Sequence, residues 1–199
     1  MAELYGFASS PEEAVPLLKA GVKIIQYRNK VQTHKEIVNS VKELIRMASS
    51  FRDVKIIVND SLEAALESGA DGVHLGQDDG DSKEVCSCYG DQLIIGVSID
   101  TVEEALEAQK HGVSYIGAGA VYGSRTKKDA PFMGVPLLTE ICSTVDIPVS
   151  AIGGISFDTL DEVLAAGAEY VCVISDINNA DDPEKRAGQY INRMEANYE

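Results

Sequence analysis

Apolar residues fall into short unbroken runs separated by longer amphipathic stretches, and the two alternate along the whole chain. The runs predict strands at Leu4–Ala8, Val22–Tyr27, Val54–Val58, Gly72–Leu75, Leu93–Val97, Tyr115–Gly117, Val149–Ile152 and Tyr170–Ile174. Most are not alternating, as expected for parallel strands buried on both faces. The stretches between them predict helices at Pro11–Ala20, Lys35–Ser49, Leu62–Ser68, Val102–His111, Val135–Ser143, Phe157–Ala166 and Pro183–Ala196. Starts are marked by Ser10 before Pro11, Thr101 before Glu103-Glu104, and Ser156 before Asp158. The crossover around Asp81–Gly90 reads as weakly helical and irregular.

One phrase recurs at intervals of roughly 50 residues. A helix ends in a small or polar residue plus Gly, and an apolar strand follows: Ala20-Gly21-Val22, Ser68-Gly69-Ala70, His111-Gly112-Val113 and Ala166-Gly167-Ala168. Each Gly suits the position just past a helix, where the backbone turns left-handed. Each interval holds two βα units, so four copies imply eight strands. The expectation is one (βα)8 TIM barrel over residues 1–199, with an open doubly wound sheet as the competing architecture.

A parallel barrel gathers its chemistry at the C-terminal ends of its strands. Strand two runs into Gln26-Tyr27-Arg28-Asn29-Lys30. Gln26, Arg28 and Lys30 alternate, so an extended chain points them one way, and two cations with an amide suit a phosphate or diphosphate. Strand three ends Asn59-Asp60-Ser61 and strand four Gly76-Gln77-Asp78-Asp79. Asp60 and Asp79 are the candidate Mg²⁺ ligands, because that ion takes one or two carboxylates and fills its octahedron with water and phosphate oxygens. Asn59-Asp60-Ser61 also suits a helix cap. His74, inside an apolar run, reads as structural. Ser98 closes strand five. Strand six opens a glycine-rich cationic loop, Gly119 to Pro131, in which Ser124, Arg125, Thr126, Lys127 and Lys128 form a candidate phosphate cradle. Gly153-Gly154 after strand seven and Ser175 after strand eight offer backbone amides to a second phosphate.

Charge sharpens this picture. The 199 residues carry a formal net charge of −15, which disfavours nucleic acid and anionic membranes as partners. With 45% hydrophobic residues, no long apolar run and no basic leader at the N-terminus, the chain reads as a soluble cytoplasmic protein. Its conspicuous cations nevertheless collect at two predicted strand ends beside two carboxylates. Cys142 and Cys172 read as core residues, and Cys86-x-Cys88 lacks a second ligand pair for zinc.

Taken in order, Gln26-x-Arg28-x-Lys30, Ile57-Val58-Asn59-Asp60, Asp71-Gly72-Val73-His74-Leu75-Gly76-Gln77-Asp78-Asp79, Gly96-Val97-Ser98, Tyr115-Ile116-Gly117, Thr126-Lys127-Lys128-Asp129-Ala130 and Ala151-Ile152-Gly153-Gly154-Ile155 resemble the thiamine phosphate synthase family. The similarity runs from Leu4 to about Ile177. It implies a Mg²⁺-dependent transferase that couples 4-amino-2-methyl-5-hydroxymethylpyrimidine diphosphate with 4-methyl-5-(2-hydroxyethyl)thiazole phosphate, releasing diphosphate. By position, the resemblance gives Gln26, Tyr27, Arg28, Asn29, Lys30 and Asn59 to the pyrimidine diphosphate, Asp60 and Asp79 to Mg²⁺, Ser98 to the pyrimidine and Lys127 to the diphosphate. It gives Ser124, Arg125, Thr126, Gly153, Gly154, Ile174 and Ser175 to the thiazole phosphate. Arg28, Lys30, Ser98 and Lys127 would act on the reacting groups. The chain departs from the family's common pattern at Phe7-Ala8-Ser9-Ser10, at Ser61 and at Gly123-Ser124. A thiazole tautomerase, a non-catalytic thiazole-phosphate binder and another phosphate-binding barrel are the other readings, and a homo-oligomer is possible.

Overall fold

The computed structural model describes residues 2–123 and 132–197. Within them eight parallel strands close a barrel in sequence order, β1 (Glu3–Ala8), β2 (Ile24–Tyr27), β3 (Lys55–Asn59), β4 (Gly72–Leu75), β5 (Ile94–Ile99), β6 (Tyr115–Ala118), β7 (Val149–Ile152) and β8 (Tyr170–Cys172). β8 pairs with β1 through Leu4 opposite Val171, so the sheet has no free edge and the doubly wound alternative is excluded. The helices are α1 (Pro11–Ala20), α2 (His34–Ala48), α3 (Leu62–Ser68), α4 (Ser82–Tyr89), α5 (Val102–His111), α6 (Gly134–Thr144), α7 (Leu160–Ala165), α8 (Ser175–Asn178) and α9 (Pro183–Ala196).

Local chemistry sets the element ends. Thr33 and Thr101 form reciprocal capping boxes with Glu36 and Glu104, and Ser10, Ser61 and Asp182 each accept a backbone N–H of the following first turn. The recurring glycines do what their spacing implies: Gly21, Gly69, Gly112 and Gly167 have φ of 93°, 75°, 82° and 98°. Two expectations are corrected. The fourth crossover is regular, because Asp81 caps α4 through Lys83 N–H and Val85 anchors it to the core. α7 begins at Leu160, since Ser156 and Thr159 close a hydrogen-bonded turn first, Ser156 N–H donating to Thr159 Oγ1 and Thr159 N–H to the Ser156 carbonyl.

Two apolar layers result. Outside the barrel, residues such as Val38, Val41, Leu44, Ile56, Val58, Val73 and Ile95 join helices to sheet. Inside it, Tyr5, Phe7, Ile57, Tyr115 and Cys172 pack with Ile24, Ile94, Ile152, Tyr170 and Ile174. Interior glycines admit this packing. A Cβ on Gly72 would lie 2.2 Å from the Ile94 carbonyl oxygen, and one on Gly96 2.1 Å from Cζ of Tyr115. No helix among the described residues is long and apolar enough to cross a membrane.

Candidate active site

The C-terminal mouth brings together side chains from β2, β3, β4 and β5. Lys30, in the loop after β2, is ion-paired with Asp60, the first residue after β3. Asp60 has a left-handed backbone, φ 64°, which costs a non-glycine residue of order 1 kcal/mol or more. Its N–H is held by the His74 carbonyl at 2.8 Å. Asp79 is fixed by a tight turn in which Gly76 N–H donates to its Oδ2 at 2.8 Å.

The two carboxyls interact directly and their ionisation splits. Burial opposes charge on Asp60, but hydrogen bonds from Lys30 and Asp79, with the charges of Lys30 and Arg28, outweigh it and hold that carboxyl below its ordinary range. Burial pushes Asp79 the other way. The Gly76 amide resists, and the neighbouring Asp60 adds to the rise. A pair that strains to hold two negative charges accepts a divalent cation readily. No group of three His, Cys, Asp or Glu side chains suited to a metal gathers among the described residues. Two carboxylates suffice for Mg²⁺, whose remaining ligands are water and phosphate oxygens, so the donor set fits that ion.

The floor beneath this rim is polar. Gln26, 2% exposed, points inward and its Nε2 donates to the Tyr5 hydroxyl at 3.0 Å. Tyr5 and Tyr115 hydroxyls lie 2.7 Å apart. His74 meets Tyr115 through Nδ1 and Ser98 through Nε2, each at 2.9 Å. Burial pulls the His74 pKa from 6.5 to about 4, against the opposing charge of Asp60, so the ring is neutral at physiological pH. The Ser98 carbonyl accepts from Gln77 Nε2 at 2.6 Å, which ties β5 to the β4 loop.

The other expected residues fall into three groups. Gly153 and Gly154 follow β7 with φ of 101° and 66°, where side chains would strike Ala120 and the carbonyls of Tyr122 and Gly123. Ile174 and Ser175 lead into α8, which Asn178 ties to the end of β1 through the Phe7 carbonyl at 3.0 Å. Ile174, Ser175 and Arg28 border a cavity of about 400 Å³ that Glu13 and Pro16 of α1 and Pro183 of α9 also line, and that Gly153 and Gly154 do not reach. Asn59 ends β3 beside His74. Tyr27 and Asn29 sit differently. The Tyr27 ring is buried in the helix-facing layer with its hydroxyl on Gln32, because strand alternation turns it away from Gln26. The Asn29 side chain shapes its own loop, donating to the Ser9 carbonyl and accepting from Val31 and Gln32 amides. Ser124, Arg125, Thr126 and Lys127 lie outside the described residues.

Sequence reasoning missed the hydrogen-bonded floor that Tyr5 and Tyr115 form with His74. Strand parity alone shows that Gly72 and His74 share a face, as do Gly96 and Ser98, whereas the folded register is what sets Gly96 opposite Tyr115.

Known proteins converge on one family. A family model described as thiamine monophosphate synthase matches residues 7–177. A thiamine-phosphate synthase from Caldivirga maquilingensis is 37% identical over 94% of this chain and 90% of its own. A thiamine biosynthesis bifunctional protein from Geobacter sulfurreducens is 42% identical over 90% of the chain, which spans 37% of that longer relative. The solved structure of a thiamine phosphate pyrophosphorylase from Pyrococcus furiosus superposes with a TM-score of 0.90 at 34% identity, covering 98% of this chain and 96% of that one. On ordered motifs, closed barrel and overall similarity alike, the chain belongs to the thiamine monophosphate synthase family.

Proposed function

We propose that this barrel joins 4-amino-2-methyl-5-hydroxymethylpyrimidine diphosphate to 4-methyl-5-(2-hydroxyethyl)thiazole phosphate, giving thiamine phosphate and diphosphate. The observation that carries the reading is the grouping of Lys30, Arg28, Asp60 and Asp79 above a polar floor ending at Ser98. A tautomerase or a thiazole-phosphate binder has no use for a paired-carboxylate diphosphate site.

The C–O bond from the pyrimidine methylene carbon to diphosphate breaks, and its electron pair leaves with the diphosphate. The aminopyrimidine stabilises the resulting cation, and the thiazole nitrogen then forms the new C–N bond. Arg28 and Lys30 would neutralise charge growing on the departing oxygens, which is worth most where water is excluded. Asp60 and Asp79 would hold Mg²⁺, which when bound supplies further positive charge to the diphosphate. Gln26, Asn59 and Ser98 would orient the pyrimidine. Gly153, Gly154, Ile174 and Ser175 would seat the thiazole phosphate, with Ser124, Arg125, Thr126 and Lys127 contributed by the loop after β6. No protein nucleophile or general base is needed, and holding the two substrates adjacent supplies much of the remaining acceleration. On the same reading the protein works in the cytoplasm, on small phosphorylated molecules rather than on nucleic acid or membranes.

The test is to mix the two substrates with and without Mg²⁺ and follow thiamine phosphate and diphosphate. Equal amounts of both products should form, only with the metal. Conversion of the thiazole phosphate alone, or binding without product, would replace this reading.

A further inference from the structure

The floor of the mouth contains a continuous hydrogen-bonded chain that crosses the barrel from β2 to β5: Gln26, Tyr5, Tyr115, His74, Ser98. Each link is between 2.7 and 3.0 Å. Such a chain has a direction, because every phenol has one proton to give and a neutral imidazole has one donor and one acceptor nitrogen. Burial pushes the pKa of both phenols up, so both keep their protons. Neither ring nitrogen of His74 faces a carboxylate; the partners are two hydroxyls.

The direction is set at Gln26, whose amide nitrogen faces the Tyr5 hydroxyl. Tyr115 is then the partner left to take the Tyr5 proton, and His74 Nδ1 the partner left to take the Tyr115 proton, and only this order gives both buried phenol protons an acceptor. Nδ1 is therefore the acceptor and Nε2 carries the hydrogen, which it gives to Ser98 Oγ. At the far end of the chain the Ser98 proton is left for the site.

We infer that this relay fixes His74 in its Nε2-protonated tautomer and leaves the Ser98 proton for the site, so that Tyr115 and His74 are positioning residues that favour a ligand presenting an acceptor atom there. A ring nitrogen of the pyrimidine is such an atom; identifying the ligand this way rests on the function proposed above, whereas the direction of the relay does not. Turning the Gln26 amide over would reverse every link, and Ser98 would then meet an acceptor with its lone pair and repel it.

The barrel is built around this chain. A side chain on Gly96 would collide with the Tyr115 ring, and a Cβ on Gly117 would lie 2.9 Å from Cε1 of His74. The two glycines on β5 and β6 leave the space that the rings occupy. Tyr5 and Tyr115 are 1% and 3% exposed, so an unmade bond there is not replaced by water.

Nitrogen-15 NMR of histidine-labelled, unliganded protein at neutral pH tests the relay directly. The expected spectrum shows His74 Nδ1 as the unprotonated nitrogen and Nε2 as the protonated one, and Tyr115→Phe shifts both toward the averaged values of mixed tautomers. A protonated Nδ1 in the wild type overturns the inference. A binding comparison then addresses selection, using the pyrimidine diphosphate and an analogue with C–H in place of the ring nitrogen. The wild type should prefer the natural ligand by roughly tenfold or more, and Tyr115→Phe and Ser98→Ala should lose that preference while still binding diphosphate. Undiminished preference in both variants overturns the selective role. If the wild type binds neither pyrimidine, the proposed function fails, while the tautomer measurement still decides the relay.

Discussion

Acid should destabilise this fold through His74 in a defined window. The ring is held neutral by burial, with its pKa near 4 in the folded chain against about 6.5 when unfolded. Above about pH 6.5 neither state is protonated and the residue contributes no pH dependence. As pH falls from 6.5 toward 4, the unfolded chain takes up a proton that the folded chain refuses, so stability drops. Below about 4 both states carry it and the loss stops growing. A tenfold difference in proton affinity between the two states is worth about 1.4 kcal/mol, so the full loss approaches about 3 kcal/mol, with about 2 kcal/mol already gone near pH 5. The residue keeps a partly exposed edge at the barrel mouth, which makes these upper values. Urea unfolding followed by circular dichroism, at about pH 7.5 and about pH 5, measures the effect in the wild type and in His74→Asn. Carboxylates titrate in both proteins, so the difference between their pH losses isolates the imidazole. The wild type should lose about 2 kcal/mol more than the variant. Equal losses would mean that the ring is solvated well enough to protonate in place, and the desolvation argument would be wrong.

Two further outcomes follow from the rim and the barrel interior. Asp79 has its pKa raised beside Asp60, so Mg²⁺ should bind more tightly as pH rises from the acid side, displacing a proton wherever Asp79 still holds one; calorimetry over a pH series in buffers of different ionisation enthalpy would show that proton, and Asp79→Asn should abolish its release along with turnover while leaving the fold intact. Metal binding with no proton release at any pH of the series, acid range included, would contradict the splitting of the pair. Gly72→Ala places a methyl 2.2 Å from a backbone oxygen on the neighbouring strand, which cannot swing aside, so thermal or urea unfolding should show a loss of about 2 kcal/mol; an unchanged midpoint would show that β4 and β5 can separate locally.

The sequence made the barrel legible because its connections are written in local chemistry. Gly21, Gly69, Gly112 and Gly167 mark where helices end, and Ser10 and Thr101 mark where two of them begin. Those signals depend on a few adjacent residues and survive folding unchanged. α4 was harder to see, because a two-turn helix with one buried residue is sustained by its cap and its docking rather than by its own periodicity. The rim was readable for the same reason as the barrel: charged residues directly after apolar runs cannot lie in the core. The floor was not. Strands buried on both faces look apolar throughout, so nothing local separates the inward Tyr5 and Tyr115 from the outward Tyr27. Only the closed register does so, by setting Gly96 beside Tyr115 and Asn59 beside His74.

That distinction bears on how one mouth could tell two phosphorylated molecules apart. The β2–β4 side offers cations and a pair of carboxylates that resist sharing their charge, an arrangement complete only with a divalent ion. The described part of the β7–β8 side offers glycine amides and Ser175, with no acid of its own to hold a metal in Gly153, Gly154, Ile174 or Ser175. On the function proposed above, a diphosphate carrying Mg²⁺ would be matched on the first side, and a monophosphate without metal on the second. Exchanging them would set unshielded phosphate against Asp60 and Asp79, and would leave the metal without protein ligands. Between the two sides, the floor from Gln26 to Ser98 would meet an uncharged ring through the hydrogen-bonded chain that starts at the buried Gln26. On that reading charge would choose which end of each substrate goes where, and the buried chain would choose which ring lies between them.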